Sequence, residues 1–280
     1  MSRSVAILGP GLIGGSLAMA LQRGSSPWRV SLWTRREESI PAVSSALPGC
    51  RISCDLKTAV TGADIVVLCT SPHAIEHSGP SLAGLVPAST PVTDAGSVKA
   101  RIVASLEKSL GGRFVGAHPM AGSEQSGISA ARPDLFDGAA CIVTPTPNSD
   151  PQALEAIRSF WKEAGCRLFE MPPAAHDAAV ARISHLPHAV AAALVHAALA
   201  KDPDCRALAG SGYRDTTRVA IGPEALWREI FLDNREELLS AISDLQVYVG
   251  ELKNALSQGD GEAMESFLRT ARTLRAQENE

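Results

Sequence analysis

The sequence predicts an α/β protein, a doubly wound sheet over 1–171 followed by an all-α segment over 172–280. Three observations carry this. Short β-branched runs alternate with helical patterns up to about Glu170, as in sheets covered by helices on both faces. A glycine-rich turn follows the first of those runs. After Met171 strand signals nearly vanish, and Pro172-Pro173 mark the boundary.

Taken in order, the strand candidates are Val5–Leu8, Arg29–Trp33, Asp64–Thr70, Pro91–Ala95, Arg113–His118, Ala140–Pro145 and Cys166–Met171. Each is short, apolar and bounded by turn formers. The C-terminal part holds three long helical stretches, Ala189–Ala200, Glu224–Leu256 and Glu262–Ala276. Ala189–Ala200 is apolar nearly all round, which suits a helix buried between others. With the later helices it is expected to pair two copies into a homodimer, the rival being that it covers the sheet of its own chain.

Composition narrows the function. A net charge of -4 and a pI near 6.0 provide no basic field for nucleic acid, so the expected partner is a small molecule. Six scattered cysteines without a CxxC pair read as reduced thiols of a cytoplasmic protein. Glycines and a proline interrupt the apolar opening, which is therefore not read as a signal peptide, and no stretch has the unbroken length of a membrane span.

Gly9-Pro10-Gly11-Leu12-Ile13-Gly14 fits GxGxxG between a strand and a helix. Such a turn admits a pyrophosphate to the helix N-terminus, the signature of a Rossmann-type dinucleotide site. Gly9, Gly11, Leu12, Ile13 and Gly14 are thus cofactor candidates. Where an NAD enzyme usually carries a ribose-binding acid, the second strand ends in Thr34-Arg35-Arg36. Two guanidiniums beside a hydroxyl suit a 2'-phosphate, so NADP is favoured over NAD. The alternative is a solvated loop, in which the arginines are free to pair with Glu37 or Glu38, with NAD bound without the usual acidic contact. Thr70 and Ser71 end a buried strand on the ligand-binding edge and join the cofactor set. His73-Ala74-Ile75-Glu76-His77 formally matches the HxxEH zinc pattern, but no third ligand is evident, and no metal is expected.

Three further clusters are DAGSVK (Asp94–Lys99), GAHPMAGSEQSG (Gly116–Gly127) and SHLPHAV (Ser184–Val190). In order and spacing, together with Tyr213–Arg218 and Trp227–Phe231, they resemble the prephenate and arogenate dehydrogenases over nearly the whole chain. That resemblance implies a nucleotide-binding domain, a helical dimerisation domain and an active site in the cleft between them. It implies NAD(P)-dependent oxidative decarboxylation of prephenate, or alternatively arogenate, on the route to tyrosine.

The residue matching His118 takes the ring-hydroxyl proton, a role suited to a neutral imidazole. The resemblance also implies that Ser97 stands near hydroxyl and nicotinamide and that Arg218 holds a substrate carboxylate. Ser184 and His188 are implied in the substrate pocket. Glu124 lies near the family position that bears on the choice between the two substrates, and Ser123 beside it is a further substrate-binding candidate. His185 is left out as a structural histidine, and Pro187 complicates the helix there. After the short tail no regulatory or fused mutase domain is expected. The competing enzyme reading is a β-hydroxyacid dehydrogenase, which would rely on a lysine; the non-enzymatic one is an NADP-binding sensor.

Overall fold

The computed structural model describes residues 3–23, 27–123 and 125–276. The chain forms two compact units, 1–234 and 235–280. In the first, β1 (Ser4–Leu8), β2 (Arg29–Trp33), β3 (Arg51–Ser53), β4 (Ile65–Leu68) and β5 (Val92–Asp94) make a parallel sheet in the order β3-β2-β1-β4-β5. The order reverses beside β1, and at that point the carboxyl ends of β1 and β4 open a crevice.

Side-chain alternation explains why both faces are covered. Val5 and Ile7 of β1 join one apolar cluster with Leu17 and Leu21 of α1 (Leu12–Arg23) and with Phe160 and Trp161. Ala6 and Leu8 join the other, with Ile75, Leu82 and Leu106. The helices supplying these partners include α4 (Pro72–Glu76), α5 (Gly79–Ala83), α6 (Ala100–Leu110) and α7 (Pro151–Glu163); α2 (Ile40–Ala46) and α3 (Leu56–Val60) complete the set before α4. Asp150 caps α7, accepting from the Gln152 and Ala153 amides at 2.9 and 2.8 Å.

A second sheet follows, β6 (Gly116–Pro119), β7 (Ala140–Thr144) and β8 (Arg167–Glu170), with β6 antiparallel and β8 parallel to β7. A single parallel bridge, Val92 with Phe114, ties its start to β5. All seven expected strands are present. β3 was not expected, because its three residues are exposed or half-buried and carry no apolar period.

After Glu170 the described chain is helical: α8 (Pro173–Val180), a π-helical turn (Ala181–His185), α9 (Leu186–Leu199), α10 (Ser211–Thr217) and α11 (Glu224–Asp233). Pro187 lacks an N–H, so the Ile183 carbonyl loses its usual acceptor role, and the widened turn absorbs that defect. The turn fuses α8 and α9 into one run, Pro173–Leu199, long and apolar enough by length and composition to cross a membrane. This corrects the expectation that no such stretch exists. The run nevertheless buries His176, Asp177, His185 and His188, and Asp177 and His185 are hydrogen-bonded to protein groups outside it. Of Ala189–Ala200 the first unit by itself buries only Ala191, so the enclosure expected for this helix is not supplied within that unit.

The second unit is a hairpin of α12 (Arg235–Gln258) and α13 (Gly261–Ala276). Gly259, at φ 66°, makes the reversal. Asp260 caps α13, accepting from the Ala263 amide at 2.9 Å.

Candidate active site

The carboxyl ends of β1, β4 and β5 meet the π turn, the segment Arg218–Pro223 and α11 around a cleft of about 560 Å³. Its floor is the glycine turn. A Cβ on Gly9, at φ +106°, would stand 2.7 Å from the Cys69 carbonyl, and one on Gly14 would strike the Gly9 carbonyl. The turn is therefore pressed against β4 with no room for side chains. Gly11, by contrast, faces open space and lines the cleft with Leu12 and Ile13. The first closed helical bond is Gly15 N to Gly11 O at 2.8 Å, so the amides before it have no intrahelical acceptor and suit a pyrophosphate. On this geometry the residues fit a dinucleotide.

Thr70 and Ser71 continue the same wall. Thr34 is buried, its amide bonded to the Ser53 carbonyl at 3.1 Å. Arg35 and Arg36 are exposed beside it and outside the cleft wall. Among the described residues neither pairs with Glu37 or Glu38, so the arginines are solvated without the pairing suggested for them. The His73 and His77 rings lie 4.3 Å apart, tilted by 42°, and Glu76 pairs with Arg101 at 3.2 Å, which engages the formal zinc pattern in contacts of its own.

The opposite end holds Ser97, His118, Ser123, Ser184, His185, His188, Arg218 and Trp227. Glu124 lies outside the described residues. A buried ion pair sets two of these groups. Lys99 and Asp94 are both wholly enclosed; the Lys99 ammonium also donates to the Ala117 carbonyl at 2.9 Å, while Asp94 accepts from the Gly96 and Ala117 amides at 2.9 and 3.1 Å. These bonds fasten the Ser97 loop to β6 one residue before His118. They also put Lys99 out of reach of a substrate, and no lysine lines the cleft among the described residues. The lysine-dependent reading loses its catalyst.

His118 Nδ1 lies 2.8 Å from His176 Nε2, and His176 Nδ1 lies 2.7 Å from Asp177 Oδ1. Burial, followed by the proximity of His176, Lys99 and His185, holds His118 well below the usual imidazole pKa. It is neutral and able to accept a proton at neutral pH.

His188 stacks on Trp227 with centroids 3.5 Å apart and 14° between planes. Gly222 permits this, since a Cβ there would be 2.7 Å from Trp227 Nε1. His185 Nδ1 meets the Asn234 amide nitrogen at 3.1 Å, whereas its Nε2 is buried without a partner among the described residues. The sequence reading missed His185, Trp227, His176 and Asp177 as groups at or behind the cleft. The adjacent His-Asp in the alanine-rich AAHDAAV, where an unpaired charge would be costly, was the available signal.

Residues 17–170 match the family model described as prephenate dehydrogenase, nucleotide-binding domain, and 172–270 the one described as prephenate dehydrogenase, dimerization domain. The chain is 32% identical to the cyclohexadienyl dehydrogenase of Zymomonas mobilis, covering 93% of this chain and 90% of that one. The crystal structure of Aquifex aeolicus prephenate dehydrogenase with hydroxyphenyl propionate and NAD+ superposes with a TM-score of 0.89 at 31% identity, covering 99% and 98% of the two chains. Synechocystis arogenate dehydrogenase gives 0.83 at 32% identity, covering 98% and 99%.

Proposed function

The chain belongs to the prephenate and arogenate dehydrogenase family of oxidoreductases, and on that premise we propose that it oxidatively decarboxylates prephenate to 4-hydroxyphenylpyruvate. One observation supports this above others: His118, neutral and buried, lines the same cleft as the dinucleotide turn at Gly11–Ile13. A hydroxyl bound there is within the same enclosure as both a proton acceptor and the place for a nicotinamide.

When bound, the nicotinamide supplies the hydride acceptor. His118 takes the proton of the ring C4 hydroxyl, and Ser97 hydrogen-bonds that hydroxyl. Arg218 holds a carboxylate as a paired acceptor, with Ser184, His188 and Ser123 around the remainder of the substrate. Loss of carbon dioxide then yields the aromatic ring, which supplies the driving force.

Exposed Arg35 and Arg36 beside Thr34 favour NADP over NAD. A homodimer is supported by the match of 172–270 to a dimerization domain, the helical substrate and dimerisation part being placed over 172–280. Six free cysteines suit a reducing, cytoplasmic setting.

The test is reduced-nicotinamide absorbance with prephenate and arogenate, each against NAD and NADP. Prephenate with NADP is expected to give the highest kcat/KM. Preference for arogenate would replace the substrate, and silence with all four would end the reading.

A further inference from the structure

We propose that His176 and Asp177 are positioning residues that fix His118 in the tautomer with a bare Nε2, the proton-accepting form. The proposal rests on His118 being the acceptor in the reaction above. It follows from donor and acceptor parity along three side chains.

Asp177 starts the chain. Its Oδ1 accepts from the Lys99 amide at 2.8 Å and its Oδ2 from the Ala100 amide at 2.9 Å, at the N-terminus of α6. Burial works to raise its pKa, but the His176 bond and these two amides outweigh that and hold it below the usual carboxylate range. An ionised carboxylate only accepts. His176 Nδ1 must therefore carry the proton in their 2.7 Å contact.

His176 is itself neutral, burial outweighing the pull of Asp177. A neutral imidazole has one N–H, so its Nε2 accepts. The donor opposite, at 2.8 Å, is then His118 Nδ1. Because His118 is also neutral, its second nitrogen, Nε2, has no proton. When Nε2 takes the substrate proton, the Nδ1–H bond to His176 persists, and the Asp177 charge lies two bonds behind the new imidazolium.

Nothing in the opposite tautomer suits this wall. A proton on His118 Nε2 would set two lone pairs, His118 Nδ1 and His176 Nε2, against each other at hydrogen-bond distance, at the cost of an unmade buried bond.

The experiment reads the ring nitrogens directly by NMR of ¹⁵N-histidine-labelled full-length protein, with His118 assigned from the spectrum of His118→Asn. Wild type is expected to show His118 protonated at Nδ1. Asp177→Asn can donate to His176 and invert the parity, moving the His118 proton to Nε2. Its kcat is expected to fall about a hundredfold or more, with both KM values within about twofold. His176→Gln can accept from His118 and donate to Asp177, so it is expected to keep the Nδ1 proton and most of the turnover. Wild-type His118 protonated at Nε2 would overturn the proposal, as would Asp177→Asn with tautomer and kcat unchanged. If Asp177→Asn does not fold, the wild-type and His176→Gln spectra decide alone. Failure of the substrate reading is separable, since it would show as an inactive wild type whose His118 still carries its proton on Nδ1.

Discussion

Lys99 and Asp94 have no exposed side-chain surface, so removing one leaves the other charged group buried without its main partner. Lys99→Met is expected to cost about 3–5 kcal/mol, read from urea unfolding; a loss below about 1 kcal/mol would show that the backbone amides on Asp94 suffice. At the cofactor end, Arg35→Ser with Arg36→Ser is expected to raise the KM for NADP at least tenfold and leave that for NAD within about twofold. Equal effects on both would remove the basis for NADP. Arg218→Ala is expected to raise the KM for prephenate far more than that for the cofactor, and steady-state kinetics would contradict a carboxylate role if both rose alike. The glycine turn, Thr70 and His118 were legible in sequence because their chemistry is local: a turn, a strand end, a motif. His176 and Asp177 were not, since their meaning depends on α8 crossing to the start of α6, 77 and 78 residues away in sequence.

Helix α6 shows the same limit one level up. Its own N-cap residue, Lys99, provides no side-chain cap, and the function usually met by a neighbouring Ser, Thr, Asp or Asn is met by Asp177 instead. Strands β1 and β4 were readable because buried parallel strands are near-continuous apolar runs; β3 lacks that burial and left no trace. The antiparallel pairing of β6 and β7 has no sequence signal of its own, as their connection spans about twenty residues and holds no hairpin turn. In α9 the apolar surface is real but mostly uncovered within the first unit. In the α12–α13 hairpin, Leu239, Val247, Leu256 and Leu268 are all more than half exposed. A two-helix hairpin is too small to enclose such surface alone, which is the physical case for a second copy. Sedimentation is expected to give twice the 29.3 kDa chain mass; a monomer at micromolar concentration would contradict the dimer.

Over the whole molecule, burial keeps His118, His176 and His185 neutral, each below the ordinary 6.5, with His185 lowered to about 4. Unfolding exposes all three, so as pH falls through about 6.5 the unfolded chain binds protons that the native one does not. Stability is therefore present above that pH and is lost as pH drops towards 4, each group contributing about 1.4 kcal/mol per unit within its window. Urea midpoints are expected to fall steadily from pH 7 to pH 5, and a flat profile would mean the histidines are not held neutral. The same neutrality underlies catalysis, because a protonated His118 has no lone pair to offer. The most direct test of the account is to supply purified protein with prephenate and NADP and to follow reduced nicotinamide and carbon dioxide together. One-for-one release of both, abolished in His118→Asn with cofactor binding intact, is the expected result. Reduced nicotinamide without carbon dioxide, or undiminished turnover in His118→Asn, would contradict it.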